Sequence, residues 1–420
     1  MSGADLKQDS LAPRRTAGFV AACAAALLAS ACTTATVAET NGVASAPTAT
    51  AFDYVGWDQY LGGADSSQYS ALAQIDKSNV AQLEVAWVYE TGPGAAPQFN
   101  PIKIGDTLFI MKGGNTLVAL DAATGAEKWT RTYEGRTGVR GMNYWESEDG
   151  SDRRFLFLND GMLRAVNADN GEPIASFGAG GTVDIRDGLP ADKRPERPLM
   201  TNNPGRIYKN TIIISLPAGA YDFASAPANT HAYDVRTGEL KWTFNMVPQE
   251  GEFGYDTWPG GPDHGKFGGV HNWSELTVDE KLGLAFIPTG TARYDFYGGN
   301  RPGDNLFGNS VVALDAETGK RVWHFQTIHH DLWDLDLPQA PKLMTITKDG
   351  KDVPIVIQAV KHGYLFVFDR RDGTPIWPIE ERPVPASDVP GEVASPTQPF
   401  PTWPPPYARM TFTEDMINPY

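Results

Sequence analysis

The amino-acid sequence predicts an all-β fold made of repeated small sheets, and three observations support this prediction. The 420 residues include 43 glycines, 32 prolines and 11 tryptophans, a balance typical of many short strands joined by turns. One motif recurs five times: an apolar strand, then D-x-x-[T/N/D]-G, then an aromatic residue. The length is sufficient to bury a large core, in one all-β domain or in two ordinary domains.

Each copy of the motif predicts a β-hairpin. The aspartate would accept backbone N–H bonds in the turn, and the glycine would supply a positive φ. In four copies a tryptophan follows the aspartate by eight residues, whereas the second copy has asparagine and phenylalanine. The pairs are Asp121 and Trp129, Asn167 and Phe177, Asp234 and Trp242, Asp315 and Trp323, and Asp369 and Trp377. We expect the aromatic side chains to pack between adjacent sheets.

The spacing of the copies predicts a β-propeller over residues 53–420. The copies start 46, 67, 81 and 54 residues apart, and such self-similar β units are typical of propeller blades. The longer gaps indicate insertions, and inserted loops on one face usually carry the functional site.

The N-terminal residues 1–32 resemble an export signal and predict a periplasmic protein. Arg14 and Arg15 precede an apolar run at 17–29 that is too short to span a bilayer comfortably. The run ends in LASAC, so Cys32 would become the lipidated first residue and anchor the chain to a membrane, or an A-x-A-like site would be cleaved instead. Residues 33–52 are rich in Thr, Ala and Ser and predict a flexible tether.

Charge and cysteine content exclude several classes of function. The net charge of −16 argues against a nucleic-acid surface, so any anionic ligand must be held by a few placed cations. The two cysteines, Cys23 and Cys32, both lie near the N-terminus. The body therefore has no disulfide, no thiolate metal site and no CxxCH haem attachment sequence.

The stretch WHFQTIHHDLWDLD at 323–336 is the strongest candidate for a functional site. It places three aspartates and two histidines, His329 and His330, among tryptophans. A buried carboxylate must be paired, hydrogen-bonded or bound to a metal. One interpretation is a polar turn capped by Asp331 and Asp336, and the other is an active site.

The repeats resemble the tryptophan-docking motifs of the quinoprotein alcohol and sugar dehydrogenases. The members of this family are eight-bladed propellers that bind pyrroloquinoline quinone (PQQ). The resemblance extends from Trp57 to the C-terminus and begins with YLGGADSSQYSALAQIDKSNVAQLEVAWVYETG at 60–92. HHDLWDLDLP at 329–338 and RPVPASDVPGEVASPTQPF at 382–400 are similar to the branch of membrane-bound glucose dehydrogenase and its quinate or polyol relatives.

The resemblance implies a catalytic base and a calcium site. By position, the carboxylate of the family's HDxWD-type motif is Asp334, which would act as the base and as a metal ligand. The lysine expected to bond the quinone oxygens is Lys361, 27 positions later (361 − 334). Asn272 in GGVHNWSEL matches the asparagine ligand, and Asp222 in AGAYDFASAPANTHAYD is the nearest acid for the remaining ligand.

The resemblance also implies residues that hold the quinone itself. The cofactor carries carboxylates that need cations with forked donors, and Arg140 in VRGMNYWE matches the family's arginine. Glu134 and Gly135 stand where several relatives have a vicinal disulfide. Trp258 in YDTWPGG is the candidate for an aromatic floor beneath the cofactor, with an ordinary tryptophan between blades as the alternative. His329 and His330 would orient Asp334 or line the substrate pocket.

The implied function is the oxidation of a sugar, polyol or cyclic alcohol, with electrons passed to a membrane quinone or a separate cytochrome. Five repeats against the family's eight blades indicate either a fragment or a ring that a second polypeptide completes. The alternatives are a non-catalytic propeller lipoprotein that serves as a binding scaffold, and an inactive truncated remnant of the enzyme.

Overall fold

The fold is an assembly of antiparallel sheets, seen in a computed structural model. The structure describes residues 54–92, 99–138, 140–189, 194–218, 223–225, 228–418 and 420, all within the larger of two units, Ala51–Tyr420. The predicted export signal, the tether, Cys32 and Asp222 lie outside the described residues. No helix in these ranges is long and apolar enough to cross a membrane.

In the described part of the chain, four sheets contain four strands each, and consecutive strands are neighbours within each sheet. The first comprises β1 (Ile102–Ile104), β2 (Thr107–Lys112), β3 (Thr116–Asp121) and β4 (Glu127–Thr132). The second comprises β5 (Asn143–Glu146), β6 (Arg153–Asn159), β7 (Met162–Asn167) and β8 (Thr182–Asp184). The third comprises β9 (Arg206–Tyr208), β10 (Thr211–Ser215), β11 (Thr230–Asp234) and β12 (Leu240–Phe244). The fourth comprises β13 (Thr277–Asp279), β14 (Leu284–Pro288), β15 (Ser310–Asp315) and β16 (Arg321–Gln326).

Two smaller sheets follow. A three-stranded sheet comprises β17 (Lys342–Lys348), β18 (Lys351–Ala359) and β19 (Leu365–Asp369), and a two-stranded hairpin comprises β20 (Ile379–Pro383) and β21 (Thr397–Pro401). Helical structure in the described residues consists of short 3-10 turns at Val80–Gln82, Ile185–Gly188, Tyr255–Thr257, His264–Lys266 and Glu414–Met416. The predicted all-β class is confirmed.

Each sequence repeat lies at the turn that follows the third strand of a sheet. In the first copy, Oδ1 of Asp121 accepts hydrogen bonds from the backbone N–H and the hydroxyl of Thr124, at 2.9 and 2.8 Å. The N–H of Gly125 donates to the carbonyl of Asp121 at 2.8 Å. The five turn glycines have φ between 70° and 76°, a conformation that glycine adopts without strain. The predicted hairpin chemistry is confirmed.

The aromatic residue of one sheet packs on the turn glycine of the next repeat. A Cβ atom added to any of these glycines would lie only 2.5 to 3.3 Å from the aromatic ring of the preceding sheet or segment. The contacts pair Trp87 with Gly125, Trp129 with Gly171, Phe177 with Gly238, Trp242 with Gly319, and Trp323 with Gly373. The indole N–H of Trp323 also donates to the carbonyl of Arg370 at 3.1 Å. The motif therefore docks each sheet against its neighbour, as the sequence predicts.

Hydrophobic clusters fill the spaces between successive sheets. One cluster joins Phe109 of the first sheet to Phe155 of the second, whose ring centroids are 4.6 Å apart. The other interfaces are similar and are lined by residues such as Leu163 and Ile212, Ile213 and Val312, and Phe286 and Phe366. Burial of these side chains stabilises the row of sheets, because each one contributes about 1.5–3 kcal/mol when it leaves water.

A segment at residues 57–68 runs past the first strand of every sheet from the first to the fifth. The contacts are Trp57 with Lys103, Gln59 with Asn143, Ser66 with Arg206, Ala64 with Val278, and Gln68 with Lys342. The first strands of the sheets therefore share one common partner, which we call the hub segment.

Candidate functional site

The candidate site is formed by loops that connect the sheets at one end of their first strands. Arg140 precedes β5, Asn272 and Trp273 precede β13, and Asp334 precedes β17. Lys361 lies in the turn between β18 and β19, which reaches the same end. The antiparallel alternation of strands thus brings together residues that are far apart in sequence.

Trp273 is the half-buried residue around which these loops meet. Its indole N–H donates to Oδ2 of Asp336 at 3.0 Å. The guanidinium of Arg140 lies 5.9 Å from the centroid of its ring, and the ammonium of Lys361 lies 5.5 Å from it. Both distances are within the range of cation–π attraction. The site therefore places two cations beside one aromatic surface.

The ammonium of Lys361 is shared by two carboxylates. Its Nζ donates to Oδ2 of Asp334 at 2.9 Å and to Oδ2 of Asp336 at 2.6 Å. Burial raises the pKa of Asp334 to about 6, an effect that the hydrogen bond from Lys361 opposes and the charge of Asp336 reinforces. A carboxyl group with this pKa is suited to accept a proton near neutral pH.

The pKa shifts of the two neighbouring groups, Asp336 and Lys361, both favour the charged form. Burial is the largest influence on the pKa of Asp336 and would raise it, but the hydrogen bonds from Lys361 and from the Thr291 backbone together lower it. Burial would likewise lower the pKa of Lys361, and the bonds to Asp336 and Asp334 outweigh it and raise the pKa. Lys361 and Asp336 are thus held in their charged forms.

Asp331 forms the turn that presents Asp334. Its carboxylate accepts backbone N–H bonds from Trp333 at 2.9 Å and Leu335 at 2.7 Å, and an amide bond from Asn309 at 2.8 Å. Asp331 is buried, and the capping interpretation of the stretch at 323–336 applies to it. Asp334 itself has φ of 56°, a left-handed conformation that aspartate tolerates better than most residues.

The two histidines of this stretch bond to other groups. Nδ1 of His329 is 2.7 Å from Oε1 of Gln326. Nδ1 of His330 is 2.7 Å from the carbonyl oxygen of Gly303. Each imidazole is therefore held by a hydrogen bond to a residue other than Asp334.

Arg140 ties together the loops on the other side of Trp273. Its Nη1 donates to Oδ1 of Asn203 at 2.7 Å, to the carbonyl of Ser274 at 2.5 Å and to the carbonyl of Trp273. Asn203 in turn donates to the carbonyl of Asn272 at 2.6 Å. The arginine predicted from the sequence therefore lies within the same loop cluster as the predicted asparagine.

Asn272 is 1% exposed, and its amide is incompletely bonded. Its Oδ1 accepts a hydrogen bond from the hydroxyl of Ser274 at 3.2 Å. Within the described part of the chain, Nδ2 has no hydrogen-bond partner. An unsatisfied buried amide is uncommon and is consistent with a site that completes itself by binding a ligand. Among the same residues, no group of three or more His, Cys, Asp or Glu side chains is arranged to hold a metal ion.

Trp258 lies in the hydrophobic core. It is 4% exposed, its indole N–H donates to the carbonyl of Leu306, and its ring lies 5.4 Å from that of Phe267. Its role as an aromatic floor stays a prediction.

The structure adds Trp273, Asp336 and Thr291 to the residues predicted from the sequence. Trp273 lies next to the predicted Asn272 and Asp336 lies in the motif that contains Asp334, and these positions are the sequence signals that could have indicated the two residues.

A family model and several known proteins match this chain in sequence. A family model described as the glucose/ethanol/alcohol dehydrogenase beta-propeller domain (PQQ) matches residues 57–419. The chain is 34% identical over 370 residues to quinoprotein glucose dehydrogenase of Escherichia coli K12, covering 82% of this chain and 46% of that protein. It is also 34% identical over 380 residues to quinate/shikimate dehydrogenase (quinone) of Acinetobacter baylyi, with the same coverage of each chain.

Solved structures show the same architecture. The structure of quinohemoprotein alcohol dehydrogenase from Comamonas testosteroni matches with a TM-score of 0.66 and 26% identity, covering 83% of this chain and 52% of that one. The chain thus spans about half the length of the relatives it matches. The predicted propeller architecture is confirmed, and the chain belongs to the PQQ-dependent glucose, ethanol and alcohol dehydrogenase β-propeller family.

Proposed function

We propose that this chain binds PQQ and Ca²⁺ at the loops around Trp273 and takes part in the oxidation of a sugar, polyol or cyclic alcohol. One observation carries the proposal. Lys361, from the turn between β18 and β19, bonds the carboxylate of Asp334, from the loop before β17, beside an aromatic ring and a second cation. A base, an ammonium group and an aromatic surface are the groups that alcohol oxidation by a bound quinone requires.

The charges of the site fit an anionic planar ligand. The chain has a net charge of −16, so its general field repels anions. Arg140 and Lys361 nevertheless lie beside the ring of Trp273, where they would attract the carboxylates and oxygens of the quinone.

The donor set also fits a hard cation. Asn272 offers an amide and Asp334 a carboxylate, and calcium prefers such oxygen ligands. Asp222 is the third ligand that we propose. Nδ2 of Asn272 has no hydrogen-bond partner among the described residues, and as a donor it supports an acceptor oxygen, such as one of the quinone, beside the metal site.

The chemistry that we assign to this chain's own residues is the removal of one proton and the stabilisation of one developing negative charge. When bound, the quinone would accept the hydride of the substrate carbon, and the calcium ion would act as a Lewis acid. Asp334 would remove the hydroxyl proton of the substrate, because its pKa of about 6 keeps it largely ionised at neutral pH and still basic. Lys361 would supply positive charge where negative charge develops.

Membership of the family indicates a chemical class of substrate and a class of electron acceptor, but no individual compound. Relatives are named for glucose and for quinate or shikimate. We propose a cyclic or polyhydroxy alcohol as substrate, and a membrane quinone or a separate cytochrome as acceptor. We further propose that the chain is exported to the periplasm, with Cys32 as its lipid anchor.

Replacement of Asp334 tests the catalytic assignment. In protein loaded with PQQ and Ca²⁺, Asp334→Asn should lower dye-linked alcohol oxidation by about a hundredfold or more, since general base catalysis contributes about 10²–10⁴. Quinone binding, followed by absorbance titration, should persist. Asp349→Asn is a matched control, because Asp349 is an exposed aspartate with a similar left-handed backbone, φ of 52°. Undiminished turnover by Asp334→Asn would refute the assignment.

A further inference from the structure

Two carboxylates contact the ammonium of Lys361, but they differ in what else they bind. Asp334 is 27% exposed at its side chain, and Lys361 is the donor to its Oδ2 at 2.9 Å. The side chain of Asp336 is 7% exposed, and its shorter bond to Lys361 measures 2.6 Å. The two aspartates are therefore not equivalent partners of the lysine.

The carboxylate of Asp336 is surrounded by donors. Its Oδ2 accepts the Lys361 ammonium and, at 3.0 Å, the indole N–H of Trp273. Its Oδ1 accepts the backbone N–H of Thr291 at 2.7 Å and the Thr291 hydroxyl at 3.2 Å. A carboxylate has about four lone-pair sites, so these bonds satisfy it almost completely.

The surrounding backbone is built to admit Asp336. A Cβ atom on Gly290 would lie 2.7 Å from its Oδ1, so a side chain at that position would displace the carboxylate. The backbone N–H of Lys361 donates to the carbonyl of Asp336 at 3.2 Å, which joins the two loops by main chain as well as by side chain. Asp336 is thus fixed by three separate segments of the fold.

We propose that Asp336 is the positioning residue of the site, which holds Lys361 and Trp273 in place relative to each other. Asp336 anchors the ammonium, whereas Asp334 is more exposed and bonds the same ammonium at the longer distance of 2.9 Å. This assignment rests on the proposed function, in which Lys361 and Trp273 face a bound quinone.

The test combines a spectroscopic readout of the unliganded protein with quinone affinity. In ¹⁵N-labelled protein, the Trp273 indole cross-peak is assigned by its loss in Trp273→Phe. Asp336→Asn places an amide N–H₂ against two donors, so we expect this cross-peak to shift, whereas Asp334→Asn should leave it in place. We also expect Asp336→Asn to weaken PQQ binding at least about tenfold, because a charge-assisted hydrogen bond that orients Lys361 is lost.

The outcomes separate the positioning role from the proposed function. An unmoved Trp273 cross-peak in folded Asp336→Asn would overturn the proposal, as would equal shifts in the two variants. A shifted cross-peak with no quinone binding by the wild-type chain would support the positioning role and overturn the proposed function. If Asp336→Asn does not fold, hydrogen exchange of the Trp273 indole in wild-type protein decides: slow exchange supports a bond to the buried carboxylate, and fast exchange contradicts it.

Discussion

At the scale of residues, Asp334 and Asp336 differ in exposure and in pKa because their neighbours differ. Asp334 is partly exposed and has a raised pKa of about 6, whereas Asp336 is buried among donors that keep it ionised. The donors come from Thr291, Trp273 and Lys361, which lie on other loops. Residue type alone therefore does not determine which carboxylate is suited to accept a proton near neutral pH.

A half-buried histidine beside the site gives a prediction for the pH dependence of stability. Burial lowers the pKa of His362 to about 4, and its ring packs 5.5 Å from Tyr364 and 6.1 Å from Phe366. An unfolded histidine titrates near about 6.5, so between these values the unfolded chain binds a proton that the folded chain does not. The stability contributed by neutral His362 is thus present above about pH 6.5 and is lost as the pH falls towards about 4.

The variant His362→Phe should reduce this acid sensitivity. An aromatic ring is retained, so the unfolding free energy above neutral pH should change little. Between about pH 4 and about pH 6.5, the slope of the unfolding free energy against pH should fall by up to about 1.4 kcal/mol per pH unit, which is the contribution of one proton. Urea unfolding across the range measures the slope, and a slope equal to that of the wild type would show that His362 titrates normally.

At the scale of elements, the repeated turn both ends a strand and receives the next aromatic side chain. Gly319 has φ of 70°, and a Cβ atom there would lie 2.5 Å from the ring of Trp242. We expect Gly319→Ala to destabilise the protein by roughly 2–4 kcal/mol, from backbone strain and overpacking together. The measurement is the urea midpoint of unfolding.

A second glycine separates these two causes. Gly350, in the turn between β17 and β18, has φ of 74°, and a Cβ atom there would meet nothing within 4 Å. Gly350→Ala should therefore cost only the backbone strain, about 1–2 kcal/mol. Equal destabilisation by the two substitutions would mean that the docking contact contributes nothing to stability.

The repeats were predictable from the sequence because their physics is local. The turn between Asp315 and Gly319 is encoded within five residues, and Trp323 follows Asp315 by only eight positions. The roles of Asp336 and Trp273 were not predictable in this way. Their bond joins residues 63 positions apart, and its existence depends on how two loops meet. Asn272 and Lys361 were found only because the chain resembles a known family.

At the scale of the whole molecule, the hub segment contacts the first strand of each of five successive sheets. Its contact with the third sheet depends on Arg206, which is fully buried and donates to the hydroxyl of Ser66 at 3.0 and 3.3 Å. Nη1 of Arg206 lies 3.8 Å from Oε2 of Glu275, a carboxyl group whose pKa is raised by burial. The stability of the hub thus depends on a buried pair of opposite charges.

Removal of one member of this pair should be costly. Arg206→Met leaves Glu275 without its nearest cation and should destabilise the protein by about 3–5 kcal/mol. The double variant Arg206→Met/Glu275→Gln should cost less than the sum of the two single variants, because each loss depends on the other residue. Denaturant unfolding of the wild type, the two single variants and the double variant gives the coupling energy. Additive effects would contradict an interaction between Arg206 and Glu275.

A titration with PQQ, followed by absorbance, shows whether the chain binds the proposed quinone beside Trp273 with the help of Lys361 and calcium. We expect saturable binding of one PQQ per chain in the presence of Ca²⁺, weaker binding after treatment with EGTA, and affinity lowered about ten- to a hundredfold in Lys361→Met. Lys320→Met, at an exposed turn, should bind like the wild type. Absence of saturable binding, or equal affinity in wild type and Lys361→Met, would contradict the proposal.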